Sequence, residues 1–205
     1  MSPRTAEQNE QLKAATRRRI VDAALGLFAE HGYEGTSVRM IADDAGMSIG
    51  LLYNYFDGKQ ALLQAIFQES MADVRESFAR ADAVAPTERL EQLIRGSFEI
   101  LRGNLTFWRL SYGVRMQPAV LAGLGRDLQQ WTAAILRTLE GYLRDAGVAR
   151  PDVEAAVLFA VIDGVSQHYV LDPDRYPLEA VIERVVARYA KPRRTAVSSR
   201  GRRAT

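Results

Sequence analysis

The chain has 205 residues, of which 47% are hydrophobic and 25% charged, a balance that argues against disorder throughout and suits one apolar core or one core and a small satellite. It has no cysteine, which excludes disulfide frameworks, thiol nucleophiles and thiolate metal sites. The net charge is +2, but the segment 191–205 holds six basic residues and no acid, so the charge balance is weak evidence for a basic folded surface.

Neither a membrane span nor a secretory signal is apparent. No apolar run approaches the ~20 residues that a membrane helix needs, and the N-terminal MSPRTAEQNEQLKAATRRR lacks the apolar segment of a signal peptide. We therefore expect a cytoplasmic protein that does not bind a membrane.

The first element is an amphipathic helix that follows a flexible arm. We assign residues 1–15 to the arm and the segment RRRIVDAALGLFAEHG, residues 17–32, to the helix, because its apolar residues recur on one helical face. Gly32 lies where a left-handed C-cap would end this helix.

Two short helices come next. Thr36 or Ser37 can cap the second helix, and Gly46 ends it after about two turns. Ser48 can cap a third helix, which must end before Asp57 because a new apolar pattern begins soon afterwards.

Longer amphipathic patterns fill the rest of the chain. They begin near Leu62, Thr87, Thr106, Pro118, Asp152 and Pro177. No stretch longer than a few residues alternates with period two, so the sequence predicts an all-α protein of about nine helices. We expect a three-helix, helix-turn-helix domain at residues 16–60, a larger helical bundle domain at 61–190 and a disordered basic tail at 191–205.

The second and third helices meet the physical requirements of a helix-turn-helix. Ala42 is small where the two helices must cross closely, and Gly46 tolerates the positive φ of the turn. Apolar residues fall where they would pin the third helix from below: Ile41, Ala45, Met47 and Leu52. On spacing alone, an ordinary helical hairpin with a glycine turn is the alternative.

The third helix has an unusual outward side. If Leu52 and Phe56 face inward at i and i+4, then Gly50, Tyr53 and Asn54 face outward. Tyrosine hydroxyls and asparagine amides can bond phosphates or base edges, and glycine lets a backbone come close to a duplex. We therefore expect Phe56 to build the core and Tyr53 to contact DNA.

The segment RIVDAALGLFAEHGYEGTSVRMIADDAGMSIGLLYNYFDGKQALL, residues 19–63, resembles the N-terminal domain of the tetracycline-repressor (TetR) family of bacterial regulators. Beyond the first helix and its Gly-Tyr turn, the resemblance is carried by Thr36, Ile41-Ala42, Ala45-Gly46, Ser48, Gly50, Leu52-Tyr53, Tyr55-Phe56 and Lys59. The remaining helical domain is compatible with the family but has no motif of comparable specificity.

The resemblance implies a homodimer that binds a palindromic double-stranded DNA operator and holds a small-molecule effector in its C-terminal domain. The recognition helix would be formed by Ser48, Ile49, Gly50, Leu51, Tyr53, Asn54 and Tyr55. Thr36, Ser37 and Arg39 would lie near phosphates at the start of the second helix. Lys59 would grip a phosphate from the start of the fourth helix, where a cation opposes the helix dipole unless an anion is near; solvation of Lys59 is the alternative.

Some positions depart from the family pattern or extend it. Ile49 and Leu51 replace a cation and a hydroxyl that many members carry, and Asn54 stands where histidine is frequent, so we expect more apolar contact, for example with thymine methyls. Arg18 lies in the run Arg17–Arg19, which could meet phosphate or a minor groove, or could be a solvated charge run. The basic tail could add non-specific DNA affinity or only solubility.

The last two predicted helices, residues 152–170 and 177–190, are too apolar for one exposed surface. Small residues would allow close helix approach at Ala155, Ala156, Ala160 and Gly164. By the resemblance these helices would form a four-helix dimer interface; burial within one protomer is the alternative.

The middle helices supply the candidate effector pocket. Its aromatic and apolar candidates are Phe98, Phe107, Trp108, Tyr112, Met116 and Trp131, with Arg109 and Arg115 for an anion and Asp163 and His168 as polar anchors. Such residues at helical spacing are also typical of an ordinary core.

An enzyme is not expected. The chain has two histidines, no HExxH spacing, and no GxSxG, P-loop or GxGxxG motif, so we expect neither a metal ion nor a cofactor. The sequence predicts a DNA-binding regulator, most simply a repressor released by its effector, although a corepressor-dependent protein or an activator fits too. The alternative is a helical dimerisation module without specific DNA recognition.

Overall fold

The computed structural model describes residues 5–189, apart from the side chains at positions 121, 122 and 125. This part of the chain forms nine α-helices and contains no strand. They are α1 (Ala6–Gly35), α2 (Val38–Asp44), α3 (Ile49–Tyr53), α4 (Lys59–Asp82), α5 (Arg89–Gly103), α6 (Leu105–Arg115), α7 (Pro118–Asp145), α8 (Pro151–Leu171) and α9 (Leu178–Tyr189). The all-α prediction is confirmed.

Helix α1 begins earlier than its apolar pattern. Thr5 and Gln8 form a capping box, in which each side chain accepts a backbone N–H of the other residue, so the chain is helical from Ala6. Residues 6–15 are exposed and therefore leave no apolar pattern in the sequence, which is why the predicted arm differs from the structure. The remainder of that arm and the predicted basic tail at 191–205 lie outside the described residues.

Two glycines with positive φ end the first two helical segments. Gly32 has φ +75° and interrupts α1, as its predicted role as a stop requires. Gly46 has φ +64° in a Schellman motif: its N–H donates to the carbonyl of Asp43, and the N–H of Met47 donates to the carbonyl of Ala42 at 2.9 Å. The turn between α2 and α3 is therefore defined by backbone hydrogen bonds.

Two apolar clusters form the core, and the first one crosses the predicted domain boundary at residue 60. It joins α1, α2 and α3 to α4, α6 and the start of α7. Phe67 of α4 lies 5.2 Å from the Phe107 ring of α6 and 6.2 Å from the stacked Trp131 ring of α7. The second cluster joins α5, α7, α8 and α9. The first three helices therefore share one core with α4 and α6.

Candidate nucleic-acid interface and ligand cavity

Helix α3 is short and is fixed by its cap and by one inward side chain. Ser48 accepts the N–H of Leu51 at 3.2 Å as the N-cap, and Leu52 is fully buried against Ile41 and Ala42 in the first core. A helix of this length is unstable alone, so tertiary packing must hold it. Its position is therefore set by the same core that holds α1 and α4.

The outward side of α3 is exposed as the sequence suggested. The Tyr53 side chain is 52% exposed and Leu51 is 40% exposed, and Ser48, Gly50 and Asn54 are also exposed. Ile49 and Tyr55 are half-buried and pack on the first core. Phe56 is buried. The five exposed residues form a surface in which polar groups alternate with apolar ones.

Thr36 is a correction to the predicted phosphate contacts. Its side chain is 1% exposed, and its hydroxyl lies 2.9 Å from the carbonyl oxygen of Gly32 and 3.1 Å from that of Leu27. The hydroxyl therefore holds the end of α1 to the start of α2 and is turned away from solvent. The neighbouring Ser37 is exposed and is the residue that caps α2, accepting the N–H of Met40.

Lys59 finds its partners inside the protein. Its Nζ donates to the carbonyl of Tyr33 at 2.9 Å, lies 4.6 Å from the centre of the Tyr33 ring and is 3.8 Å from a carboxylate oxygen of Glu34. The helix dipole disfavours a cation at the start of a helix, and these groups of the protein offset that cost. From the sequence we had expected a phosphate in this role. Burial, and secondarily the charge of Glu34, raises the pKa of Tyr33.

The arginines near the start of the apolar part of α1 differ in their roles. Arg17 forms an ion pair with Glu69 of α4 and lies 5.1 Å above the Phe56 ring. Arg18 and Arg19 are exposed, and so is Arg39 of α2. Within residues 5–189, none of these three exposed arginines has an acidic partner. Arg17 therefore braces α1 against α4, and the three exposed cations remain candidates for phosphate.

A second site is a cavity of about 110 Å³ enclosed by helices α4 to α8. Most of its wall is apolar or aromatic, including Phe67, Met71, Phe78, Trp108, Trp131 and Ile162. A second depression, between α4 and α7, shares Met71 and Trp131 with the cavity and is also lined by Arg75. The two depressions therefore adjoin along those helices.

Of the predicted pocket residues, five line the cavity and five do not. The five that line it are Trp108, Tyr112, Arg115, Trp131 and Asp163. Phe107 is buried in the first core and Phe98 in the second, Arg109 and His168 are exposed, and Met116 is 81% exposed at the end of α6. These last five were expected from composition, whereas the cavity takes one face of each helix. On α6 that face carries Trp108, Tyr112 and Arg115, spaced i, i+4 and i+7, a signal that the sequence contained.

A charge pair lies in the wall of the cavity. Arg115 Nη1 donates to Asp163 Oδ1 at 2.7 Å, joining α6 to α8, and the guanidinium lies 5.0 Å above the Tyr112 ring. The Tyr112 hydroxyl is 3.3 Å from the carbonyl oxygen of Asp163 and 3.4 Å from its carboxylate. Burial, and secondarily the charge of Asp163, raises the pKa of Tyr112, so its hydroxyl remains a donor.

The two C-terminal helices expose different surfaces. Val153, Val157 and Leu171 are large exposed apolar residues on α8, and Ala160 between them is also exposed. On α9 the apolar residues Leu178, Ile182, Val185, Val186 and Tyr189 are buried within the protomer. Burial within one protomer, the alternative stated above, therefore explains the apolar pattern of α9. It does not explain the pattern of α8, whose large apolar residues are exposed.

Comparisons with known proteins decide the family. The profile described as bacterial regulatory proteins, tetR family, matches residues 20–66, and the BetI-type transcriptional repressor C-terminal profile matches residues 86–191. The chain belongs to the TetR family. It is a transcriptional regulator with an N-terminal helix-turn-helix DNA-binding domain. Within residues 5–189, no three metal-ligating side chains come together, and no helix is long and apolar enough to cross a bilayer.

Similar proteins agree over most of the chain. The HTH-type transcriptional repressor Rv1474c of Mycobacterium tuberculosis is 30% identical over 86% of this chain and 94% of its own length. The SmeT–triclosan complex has a TM-score of 0.70 at 24% identity, covering 86% of this chain and 92% of that one. FadR of Bacillus subtilis in complex with stearoyl-CoA has a TM-score of 0.72 at 21% identity, covering 85% and 98%. The two structures share the fold of this TetR member.

Proposed function

We propose that this TetR-family protein is a homodimeric repressor that reads a palindromic operator with α3 and is released when a small molecule occupies the α4–α8 cavity. The observation that carries the proposal is the exposed side of α3, where an aromatic side chain stands beside an amide and a glycine. A monomeric core domain has no use for such a surface, whereas a DNA major groove admits a helix that carries it.

The operator contacts divide into base reading and positioning. Tyr53 and Asn54 offer a hydroxyl and an amide to base edges or phosphates, and Leu51 offers apolar contact to thymine methyls. Gly50 lets the helix backbone approach the duplex. Phosphates are contacted by Ser37, Arg39 and Arg18, and by Ser48 at the start of α3. Ile49 and Tyr55 are half-buried and lie at the edges of the α3 contact surface. Lys59 takes part only through the N–H groups of its ammonium that Tyr33 leaves free.

The dimer is formed mainly by α8. Val153, Val157, Ala160, Gly164 and Leu171 follow one another at spacings of three, four or seven residues, which places them on one stripe of the helix. Gly164 has no heavy atom of another residue near its Cβ position, so a second helix can pack closely there. Helix α9, within the predicted 177–190 segment, contributes its polar outer face at the edge. A stable dimer buries about 800 Å² per partner, which two helices of this length can provide.

The effector acts through α4. Phe67, Met71 and Val74 of α4 line the cavity, and Leu62 and Leu63 at the other end of α4 are buried in the core that also holds α3. A ligand that moves α4 therefore moves the recognition helix. Allosteric coupling of this kind is worth about 1 to 3 kcal/mol. Triclosan, bound by the similar SmeT protein, is the kind of largely apolar effector for which the cavity is suited.

Selection of the purified protein against random duplex DNA tests the proposal. We expect recovery of a palindrome, bound at near-physiological salt and released at higher salt. Arg175→Ala, far along the chain from α3 and exposed, is the matched control and should bind as the wild type does. Enrichment of no sequence, with weak binding that disappears when residues 191–205 are removed, would leave the dimerisation module without DNA recognition as the better account. An effector that tightens operator binding would make the protein a corepressor-dependent one.

A further inference from the structure

We propose that the cavity selects effectors without net charge: an aromatic or aliphatic body that carries one uncharged group able both to donate and to accept hydrogen bonds at the Arg115–Asp163 pair. This inference rests on the proposed function, since it names the chemical class of the small molecule that would release the operator.

The shape of the wall favours an apolar body. Aromatic rings from α4, α6 and α7 surround the cavity, among them Phe67, Trp108 and Trp131. Burying apolar ligand surface against such a wall contributes about 25 cal/mol per Å². Among the described residues that line the cavity, Arg115 and Asp163 are the only charged ones. The charged groups that a ligand can meet therefore lie at one place in the wall.

At that place the two charges already neutralise each other. Arg115 donates to Asp163 at 2.7 Å, and the Tyr112 ring covers the guanidinium. A carboxylate ligand that bonds Arg115 places a second anion beside Asp163. An ammonium ligand that bonds Asp163 places a second cation beside Arg115. Either ligand adds one uncompensated charge to a largely apolar site, which is unfavourable.

An uncharged polar group avoids this conflict. A guanidinium has five N–H donors and a carboxylate has several lone-pair sites, so a hydroxyl or amide can bond both without separating them. Trp108 offers a further donor to a neutral acceptor on the ligand, because its indole Nε1–H is buried without a hydrogen-bond partner in the described part of the chain. A ligand acceptor that reaches this donor removes the cost of leaving it unpaired.

The adjoining depression between α4 and α7 does not reverse this preference. Among the described residues that line it, Arg75 is the charged one, and it is exposed to solvent. Salt and water screen such a cation, so it gives an anionic ligand little affinity. The multiply charged headgroup of a ligand such as stearoyl-CoA would find a single cation there.

Three probes that share one body and differ in charge test the inference: phenylbutanol, phenylbutyrate and phenylbutylammonium. Trp108 and Trp131 are the 2 tryptophans of the chain and both line the cavity, so tryptophan emission reports binding directly, with calorimetry as a second readout. We expect the alcohol to bind wild-type protein at least about tenfold more tightly than either ion.

Two variants that replace a charged side chain with an amide shift the charge of the pair. Asp163→Asn leaves the site with a positive charge, and phenylbutyrate should then bind about tenfold more tightly than phenylbutanol. Arg115→Gln leaves a negative charge, and phenylbutylammonium should become the tightest probe. The inference is overturned if an ionic probe binds the wild type as tightly as the alcohol, if the variants keep the wild-type ranking, or if no probe binds. The wild-type ranking decides the matter even if a variant does not fold.

Operator binding is measured separately on the same wild-type preparation. If the selected duplex binds but the probe ranking fails, the effector class is wrong and the regulator proposal stands. If the ranking holds but no duplex is bound specifically, the cavity has been described correctly and the operator proposal fails.

Discussion

The exchange Thr36→Val separates a structural role from a DNA contact at the position where sequence and structure disagree. Valine matches threonine in shape, so the substitution leaves no cavity and removes only the hydroxyl. That hydroxyl is buried and lies 2.9 Å from the Gly32 carbonyl oxygen and 3.1 Å from that of Leu27. The hydroxyl has one hydrogen, which it donates to one acceptor or shares between the two. Its contribution is therefore that of one neutral hydrogen bond.

Such a bond contributes about 1 kcal/mol net, and leaving buried acceptors unpaired raises the cost towards about 2 kcal/mol. In a chain of this length each kcal/mol lowers the midpoint of thermal unfolding by about 2 to 4 °C, so we expect a fall of about 2 to 8 °C. Operator affinity, measured well below the midpoint, should stay within about twofold of the wild type, because a buried hydroxyl makes no phosphate contact.

Circular dichroism melting and operator titration over a salt series give the two readouts. Thr36→Ser keeps the hydroxyl and should retain most of the stability, apart from the loss of one buried methyl group. Unchanged stability in Thr36→Val, together with weaker operator binding at every salt concentration, would show that the hydroxyl contacts a phosphate and refute the reasoning.

Further predictions concern the dimer, the turn and the tyrosines. Val157→Arg, which places a charge on the exposed apolar stripe of α8, should convert the dimer to a monomer in sedimentation analysis, whereas Asp73→Arg on the exposed side of α4 should not; a dimeric Val157→Arg would argue against the α8 interface. Gly46→Ala forces a side chain into φ +64° and should lower the unfolding free energy by about 1 to 2 kcal/mol in urea titration, and an unchanged value would mean that the turn can relax. Burial raises the pKa of Tyr112 above its ordinary 10.0, so its contribution to stability is complete below pH 10.0 and is lost as pH rises towards the raised value. Tyr112→Phe should therefore lose stability less steeply above pH 10.0 than the wild type, as measured by urea unfolding at several alkaline pH values; equal slopes would contradict the burial of this hydroxyl.

The sequence predicted those features that depend on residues close together in the chain. Ser37 and Ser48 cap helices because their side chains reach backbone groups three residues away. The turn at Gly46 is closed by two backbone hydrogen bonds, from Gly46 to Asp43 and from Met47 to Ala42, which span three and five residues. Leu52 and Phe56 were placed in the core by the helical repeat alone. Local hydrogen bonding and periodicity determine these outcomes, so a single sequence contains them.

Features that depend on how neighbouring helices are turned were not predictable in the same way. Thr36 looked like a surface hydroxyl because either Thr36 or Ser37 could cap α2, and only the fold of the α1–α2 turn directs the Thr36 hydroxyl to the carbonyl groups of Leu27 and Gly32. Phe98 and Trp108 have the same aromatic character, but α5 turns the first into the second core while α6 turns the other to the cavity. Apolar stripes on α8 and α9 looked alike, yet only the α9 stripe is covered within the protomer. In each case, burial depends on which neighbouring helix packs against the side chain.

The central claim is that α3 reads base sequence, and it is tested most directly by a specificity ratio. We would measure the affinity of the wild type and of Tyr53→Ala for the selected operator and for a scrambled duplex of equal length and composition at the same salt concentration. The account predicts that Tyr53→Ala lowers the operator-to-scrambled ratio by at least about tenfold, through loss of about 1 to 3 kcal/mol of base discrimination, while affinity for the scrambled duplex changes little. An unchanged ratio, with both affinities lowered in parallel or left as they were, would show that α3 does not read the sequence and would contradict the account.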